Sequence, residues 1–339
     1  MIPGKKSIFS FRKKKNIMQA LLFRGRDQQS LFRYAREIRD EIFSKWVEVR
    51  SVIEYSNMCQ QECNYCGMSR HSGLKRYILS NEEVMQNVEA LYRKGRKVIM
   101  FQTGEFYPQN YFENLCFLLK EIKERYGDLT LICSLGNLPR YNLQKLRKIG
   151  VERYLLKFET SDVDLYKKVK LSDTLENRMA HIIMAREVGL QVSSGNITGL
   201  PGQTIASLAD DLLLINKLKL RMGSTSAFIP NDLSSYAHFA AADIHMVLNF
   251  MAILRLICPS MLIPATSSLE LLVKDGQYMG LMAGANVVTA HDGTPQNDED
   301  RFVIYRKNRY KPRDILFTII RRASLEPFTG SLLSNQKGA

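Results

Sequence analysis

The sequence predicts an α/β protein, a (β/α)8 TIM-type barrel with a helical extension at its N-terminus. Two observations carry this. Eight short apolar segments alternate one for one with segments of helical periodicity, and such alternation implies a parallel sheet. Eight units close most simply into a barrel, with a partial barrel of about six units as the rival. The unusual residues also fall just after strands, where such barrels place their sites.

The elements follow in order. Residues 30–42 set Leu31, Tyr34, Ile38 and Ile42 at helical spacing. Strand 47–56 runs directly into a cysteine-bearing loop. Ser80-x-x-Glu83 is a capping box that opens helix 81–94. Then come strand 98–103, helix 111–126, strand 129–135, helix 142–149 ending at Gly150, and strand 153–158. Helix 175–188 ends at Gly189 and is followed by strand 191–198, helix 205–218 and strand 222–229. Helix 242–258 is stopped by Pro259, after which strand 261–264, helix 269–279 and strand 285–289 complete the series. The chain thus divides into a basic segment and helix over 1–45, a barrel domain over 46–330, and a flexible tail over 331–339.

The 339 residues are 45% hydrophobic, ample for one large core. Only 6 cysteines occur and three are clustered, so a disulfide scaffold is not expected and a reducing cytoplasm is. No run of 18 apolar residues suggests a membrane span, and residues 1–19 are basic without the apolar stretch of a signal peptide. The net charge is +14, with Lys5, Lys6, Arg12, Lys13, Lys14 and Lys15 in one run. Such a run is a solvated tail or a docking surface for an acidic partner; no nucleic-acid motif accompanies it.

Cys59, Cys63 and Cys66 form a C-x3-C-x2-C run. Three thiolates at this spacing can hold three irons of one [4Fe–4S] cluster and leave the fourth iron open to a ligand. Half of a zinc site is the alternative, but zinc usually takes four ligands in two paired knuckles, and no second knuckle exists. Gly104-Glu105 follows a strand, as an ordinary βα turn or as a close approach to a ligand. Glu159 ends the fourth strand and Arg178 lies early in the next helix, as a surface pair or as ligand contacts. The turn 199–204, Gly-Leu-Pro-Gly-Gln-Thr, can lie against a flat ligand, and Thr204 can cap the helix. It lacks the Walker lysine of a phosphate loop. His71, His181, His238, His245 and His291 show no metal spacing and read as structural. His291-Asp292, after the last strand, is the exception worth testing. Cys116, Cys133 and Cys258 are scattered and read as small buried hydrophobes.

With Tyr65 before its third cysteine, the loop resembles the signature of the radical S-adenosylmethionine (SAM) enzymes. Collinear matches include Ile53-Glu54-Tyr55-Ser56-Asn57, Arg76-Tyr77, Gln102-Thr103-Gly104-Glu105, Ser134-Leu135-Gly136, Glu176-Asn177-Arg178 and Ile263-Pro264-Ala265-Thr266. Together they resemble the biotin-synthase-like group, and within it the hydrogenase-maturase and methylornithine-synthase type. The resemblance implies a complete barrel with the cluster and SAM near its top. It implies Cys59, Cys63 and Cys66 as cluster ligands, and Tyr65, Gly104, Glu105, Ser134, Glu159 and Arg178 at the cofactor. Gln102, Lys157, Thr266 and Ser267 would line the substrate cavity. One electron, from a donor such as a ferredoxin or flavodoxin, would cleave SAM to methionine and a 5′-deoxyadenosyl radical.

The chain departs from its relatives in places. A second, sacrificial cluster of the biotin-synthase kind would need ligands at Gln102, Ile132, Ser193 and Pro264, none of which binds iron well. Lys157-Phe158 stands where the maturases have Arg-His, and Arg to Lys at a carboxylate clamp is not conservative. Asn231 to Ser234 and the run 291–295 are also unusual. The expected activity is radical chemistry on a small amino-acid-like or metal-thiolate substrate. The alternatives are a sulfur-inserting synthase and a non-catalytic iron–sulfur scaffold.

Overall fold

The computed structural model describes residues 11, 13–293, 304–305 and 315–333. Two helices lead in, α1 (Lys14–Leu21) and α2 (Gly25–Phe43). The barrel follows as β1 (Trp46–Ser56), α3 (Asn81–Arg93), β2 (Val98–Thr103), α4 (Gln109–Arg125), β3 (Thr130–Ser134), α5 (Arg140–Ile149) and β4 (Arg153–Leu155). Then come α6 (Val163–Val169), α7 (Leu175–Glu187), β5 (Gln191–Thr198), α8 (Ile205–Leu218), β6 (Met222–Ala227) and α9 (Ile244–Ile257). The last part holds β7 (Pro264–Ala265), α10 (Ser267–Leu272), α11 (Gly276–Met282), β8 (Val287–Ala290), α12 (Ile315–Arg322) and β9 (Glu326–Phe328).

The sheet order is β6-β5-β4-β3-β2-β1-β8-β7, and all these pairings are parallel. Its two ends meet at a single parallel bridge, Met222 with Leu262. Gly223 N donates to Leu262 O (3.0 Å) and Leu262 N to Arg221 O (3.0 Å). The eight strands therefore form the expected barrel, joined between β6 and β7 only near their N-terminal ends.

Strand register explains the interior. Val52 pairs with Met100, and Met100 with Ile132. These form a small apolar layer with Val98 and Leu155 inside the barrel. One level above, Glu54 pairs with Gln102 and Gln102 with Ser134. Side chains two residues apart on a strand share a face, so a polar layer lies directly over an apolar one. Below it, Arg153 binds Glu48 through both oxygens (2.7 and 3.0 Å) with neither exposed by more than 1%. The main core fills the space between the barrel and its helices.

Local signals behave as expected at Ser80, where the capping box forms, and at Thr204, which caps α8. Several elements differ. Helix α1 was not anticipated; Ile17, Ala20 and Leu21 are fully buried, so tertiary packing makes it. Helix α6 was missed, and β4 stops at Leu155. The expected helix 269–279 is two helices, because Asp275 adopts a left-handed conformation (φ 63°). Glu270 accepts from Asp275 N (3.0 Å) and Gln277 N (3.1 Å) across that break. β7 is shorter and later than expected. Of the segment expected as a tail, Ser331, Leu332 and Leu333 are buried. The two leucines pack on Phe43, Met222, Leu262 and Val287, while Leu332 N donates to Glu48 (3.0 Å). Residues 334–339 and the basic positions Lys5, Lys6 and Arg12 lie outside the described residues.

Candidate active site

The C-terminal ends of the strands open on one cavity, about 1310 Å3 of empty space counted out to its mouth. The residues expected at the cluster, the cofactor and the substrate all line it, from the three cysteines to Thr266 and Ser267, whereas the turn 199–204 and Asp292 do not.

The cysteine loop is built by neighbours on both sides. Asn57, fully buried, donates to Lys75 O (2.8 Å) and accepts from Tyr77 N (2.8 Å). Arg76 donates to Asn57 O (2.7 Å) and Met68 O (2.9 Å), which closes the loop on itself. Across the mouth, Cys63 forms an antiparallel bridge with Lys170. Asn64 N donates to Val169 O and Leu171 N to Glu62 O, each 2.9 Å. The end of α6 is thus a clamp on the loop. At Gly104 a Cβ would stand 2.3 Å from Met58 O and 2.7 Å from Cys59 Cβ. The room this glycine leaves is filled by the loop's own backbone.

Glu105 is the hub of the wall. Its Oε1 accepts from Lys170 Nζ (2.5 Å) and Arg178 Nη2 (2.6 Å), and its Oε2 from Tyr107 (2.6 Å) and Asn137 N (3.3 Å). Burial opposes ionisation, but Lys170 and Arg178 outweigh it and hold the carboxyl well below its usual range. Arg178 also meets Asp173 (3.1 Å) and Tyr166 (3.3 Å). Arg178 is therefore paired with Glu105 and Asp173, not with Glu159. Gly136 (φ 83°) makes the hub possible, because a Cβ there would lie 2.2 Å from Glu105 Cγ.

Glu159 sits at φ 63° just past β4. The turn is held by Glu159 N donating to Gly195 O (3.1 Å) and Ile197 N to Glu159 O (2.8 Å). Its Oε1 accepts from Tyr65 (3.3 Å). Lys157 stands 3.1 Å from Oε2 as an ion pair, and that buried oxygen accepts no hydrogen bond. Gln102 and Ser134 project from the polar barrel layer, and Thr266 Oγ1 meets Ser268 Oγ (2.8 Å).

Residues 53–215 match the radical SAM superfamily, and the chain belongs to that superfamily. It is similar to the [FeFe] hydrogenase maturase subunit HydE of Thermotoga maritima, 35% identical over 77% of this chain and 74% of that protein. The 3-methylornithine synthase of Methanosarcina acetivorans is 31% identical over 85% of this chain and 82% of that protein. The crystal structure of methylornithine synthase (PylB) superposes with a TM-score of 0.84, covering 95% of this chain and 96% of that chain at 26% identity.

Members of the superfamily use a [4Fe–4S] cluster and SAM, and the residues present fit both. Burial raises all three thiols above the usual thiol value, Cys63 to about 12, and Cys66 strongly. Buried thiolates need a cationic partner, which iron provides. Among the described residues no three His, Cys, Asp or Glu groups converge on one ion. Three thiolates can each bind a different iron of one cluster, whereas mononuclear zinc usually takes four ligands. Glu159 Oε2, paired with Lys157 but without a hydrogen bond, suits a ligand hydroxyl or ammonium. Cys116, Cys133 and Cys258 do not line the cavity.

Several cavity residues escaped the sequence reading. Lys170, 3% exposed, looked like any other lysine of its basic stretch. Arg50, also 3% exposed, did leave a signal. Glu48, Arg50 and Glu54 alternate within an apolar strand, which places all three on the barrel interior. Tyr305 lines the cavity from a segment with no motif.

Proposed function

We propose that this chain performs radical chemistry on a small amino-acid-like or metal-thiolate substrate held inside the barrel. The observation that supports it is one continuous cavity lined by the three cysteines and by the polar layer of Gln102 and Ser134, with Lys157, Thr266 and Ser267 on its wall. When bound, the cluster and SAM supply a 5′-deoxyadenosyl radical once an electron arrives from a donor such as a ferredoxin or flavodoxin. Cys59, Cys63 and Cys66 hold the cluster. Glu105 fixes Arg178 and Lys170 so that their cationic faces meet the carboxylate of SAM. Tyr65 and Glu159 receive its ribose or ammonium. The apolar layer of Val52, Met100 and Ile132 lies one level below Gln102 and Ser134 inside the barrel. No thiol other than the three in the loop faces the cavity among the described residues, which supports one cluster and no sulfur insertion.

The test is anaerobic reconstitution with iron and sulfide. About four irons per chain are expected, with 5′-deoxyadenosine formed from SAM and dithionite and stimulated by the substrate. About eight irons per chain, falling by half in a Cys116/Cys133/Cys258→Ser variant, favours sulfur insertion instead. A loaded cluster with no SAM cleavage favours the scaffold reading.

A further inference from the structure

We propose that Glu54, His291 and Ser267 form a proton relay on the cavity wall that takes a proton from a protonated amine of the substrate. His291 Nδ1 lies 2.8 Å from Glu54 Oε1, and its Nε2 lies 2.9 Å from Ser267 Oγ. The three come from the end of β8, from β1 and from the start of α10. The Glu54 and His291 side chains are each 5% exposed, and Ser267 as a residue is also 5% exposed. Ser267 and His291 both line the cavity.

The order of the three groups sets their polarity. A carboxylate beside Nδ1 accepts its proton and fixes the neutral tautomer with Nε2 bare. Ser267 then donates its hydroxyl proton to Nε2 and turns its oxygen lone pairs to the cavity. A hydroxyl, a base and a group that orients the base is the general arrangement for moving a proton. A merely structural trio does not need it, since a buried carboxylate and imidazole cost desolvation that apolar side chains avoid. With Glu54 ionised the relay carries one negative charge, which favours a cationic donor over a neutral one.

The step balances without any oxidant. One N–H bond of the substrate ammonium breaks, and its electron pair stays on nitrogen. That proton passes to Ser267 Oγ as the serine proton passes to His291 Nε2. The imidazolium so formed rests against Glu54, and the reverse transfer returns the proton to the product. A free amine beside the carbon that loses its hydrogen atom stabilises the resulting radical, which gives the relay its use. The inference rests on the radical reading above.

Other charged and titratable groups around the relay are Arg50 on β1, Asp292 held by Arg96 (3.2 Å), Lys157 and Glu159 past β4, and Tyr305. The test follows the ring nitrogens of His291 by NMR in histidine-labelled, cluster-loaded protein, with His291→Gln giving the assignment. The ring is expected to titrate between roughly pH 5 and 9, and Glu54→Gln to lower the midpoint by about one pH unit or more. A ring that keeps one protonation state across that range overturns the relay. The second arm measures 5′-deoxyadenosine stimulated by a mixture of free amino acids against pH. The wild-type profile should follow the His291 midpoint; Ser267→Ala should lose that limb and Ser267→Thr restore it. An unchanged profile in Ser267→Ala overturns the relay. Failure of every amine to stimulate, while His291 titrates, overturns the amine assignment. The NMR titration needs no turnover, so loss of the radical reading and loss of the relay are separable.

Discussion

Arg178 Nη2 stands 2.6 Å from Glu105 Oε1, and Lys170 Nζ stands 2.5 Å from the same oxygen. Two cations, each 3% exposed, thus share one carboxylate at the cavity wall, and Arg178 also meets Asp173 (3.1 Å). Removing that carboxylate as Glu105→Ala leaves Lys170 buried without its ion pair and Arg178 with Asp173 alone, a loss of about 3–5 kcal/mol. Urea unfolding checks it, and a variant within about 1 kcal/mol of wild type refutes the hub. Because Glu105 ionises well below 4.5 in the fold, its contribution is complete above that pH and lost as pH falls below it.

Arg178→Ala and Glu159→Ala should each weaken SAM binding about tenfold to a hundredfold, since each removes a charge-assisted contact of about 1.5–3 kcal/mol. Calorimetric titration of the cluster-loaded protein reads this. Unchanged dissociation constants in both would assign the pair to structure alone.

Substituting any one of Cys59, Cys63 or Cys66 by Ala should abolish SAM cleavage and lower bound iron while the circular dichroism spectrum stays that of the wild type. Full activity in the triple variant would remove the cluster from this loop.

Gly136→Ala should be far worse than Gly95→Ala. Both glycines have positive φ, 83° and 74°, and each substitution carries the backbone cost of about 1–2 kcal/mol. Only at Gly136 does the new Cβ also meet a neighbour, Glu105 Cγ at 2.2 Å, whereas nothing lies within 4 Å at Gly95. Equal melting temperatures for the two variants would show that the hub yields easily.

Asp211 accepts from Ser161 N and Oγ (both 2.6 Å) and Asn196 Nδ2 (2.8 Å) beneath the Glu159 turn. Burial nonetheless pushes its carboxyl up to about 7 from 3.8. The folded protein therefore holds this proton more tightly than the unfolded chain. Its stabilising contribution is lost as pH rises from about 4 to 7, by at most about 1.4 kcal/mol per pH unit. Unfolding free energies of Asp211→Asn should lack this slope, and identical slopes in the two proteins would contradict it.

Deleting residues 331–339 should destabilise the barrel by about 3 kcal/mol or more, because Leu332 and Leu333 are 4% and 2% exposed and each such side chain contributes about 1.5–3 kcal/mol. An unchanged denaturation midpoint would show that the barrel floor does not need this plug.

The sequence alone determined what depends on near neighbours along the chain. Alternating periodicity dictated eight βα units, Ser80 and Thr204 marked their helices, and the spacing of Cys59, Cys63 and Cys66 marked one loop for iron. The resemblance carried by the motifs implied Gln102 and Ser134 at the cavity, where strand register sets them side by side. What depends on distant neighbours was decided only by the tertiary structure. A buried lysine and a solvated one read alike in sequence, so Lys170 was invisible until α6 folded against the loop. Arg178 read as a surface partner of Glu159 or as a ligand contact, but its ion pair is with Glu105, 73 residues away. Barrel closure brings β1 beside β8, and so sets Glu54 against His291, 237 residues apart. The same closure draws Leu332 and Leu333 under the barrel. A parallel barrel makes its longest-range contacts where its first and last strands meet, and local pattern says nothing about which side chains face each other there.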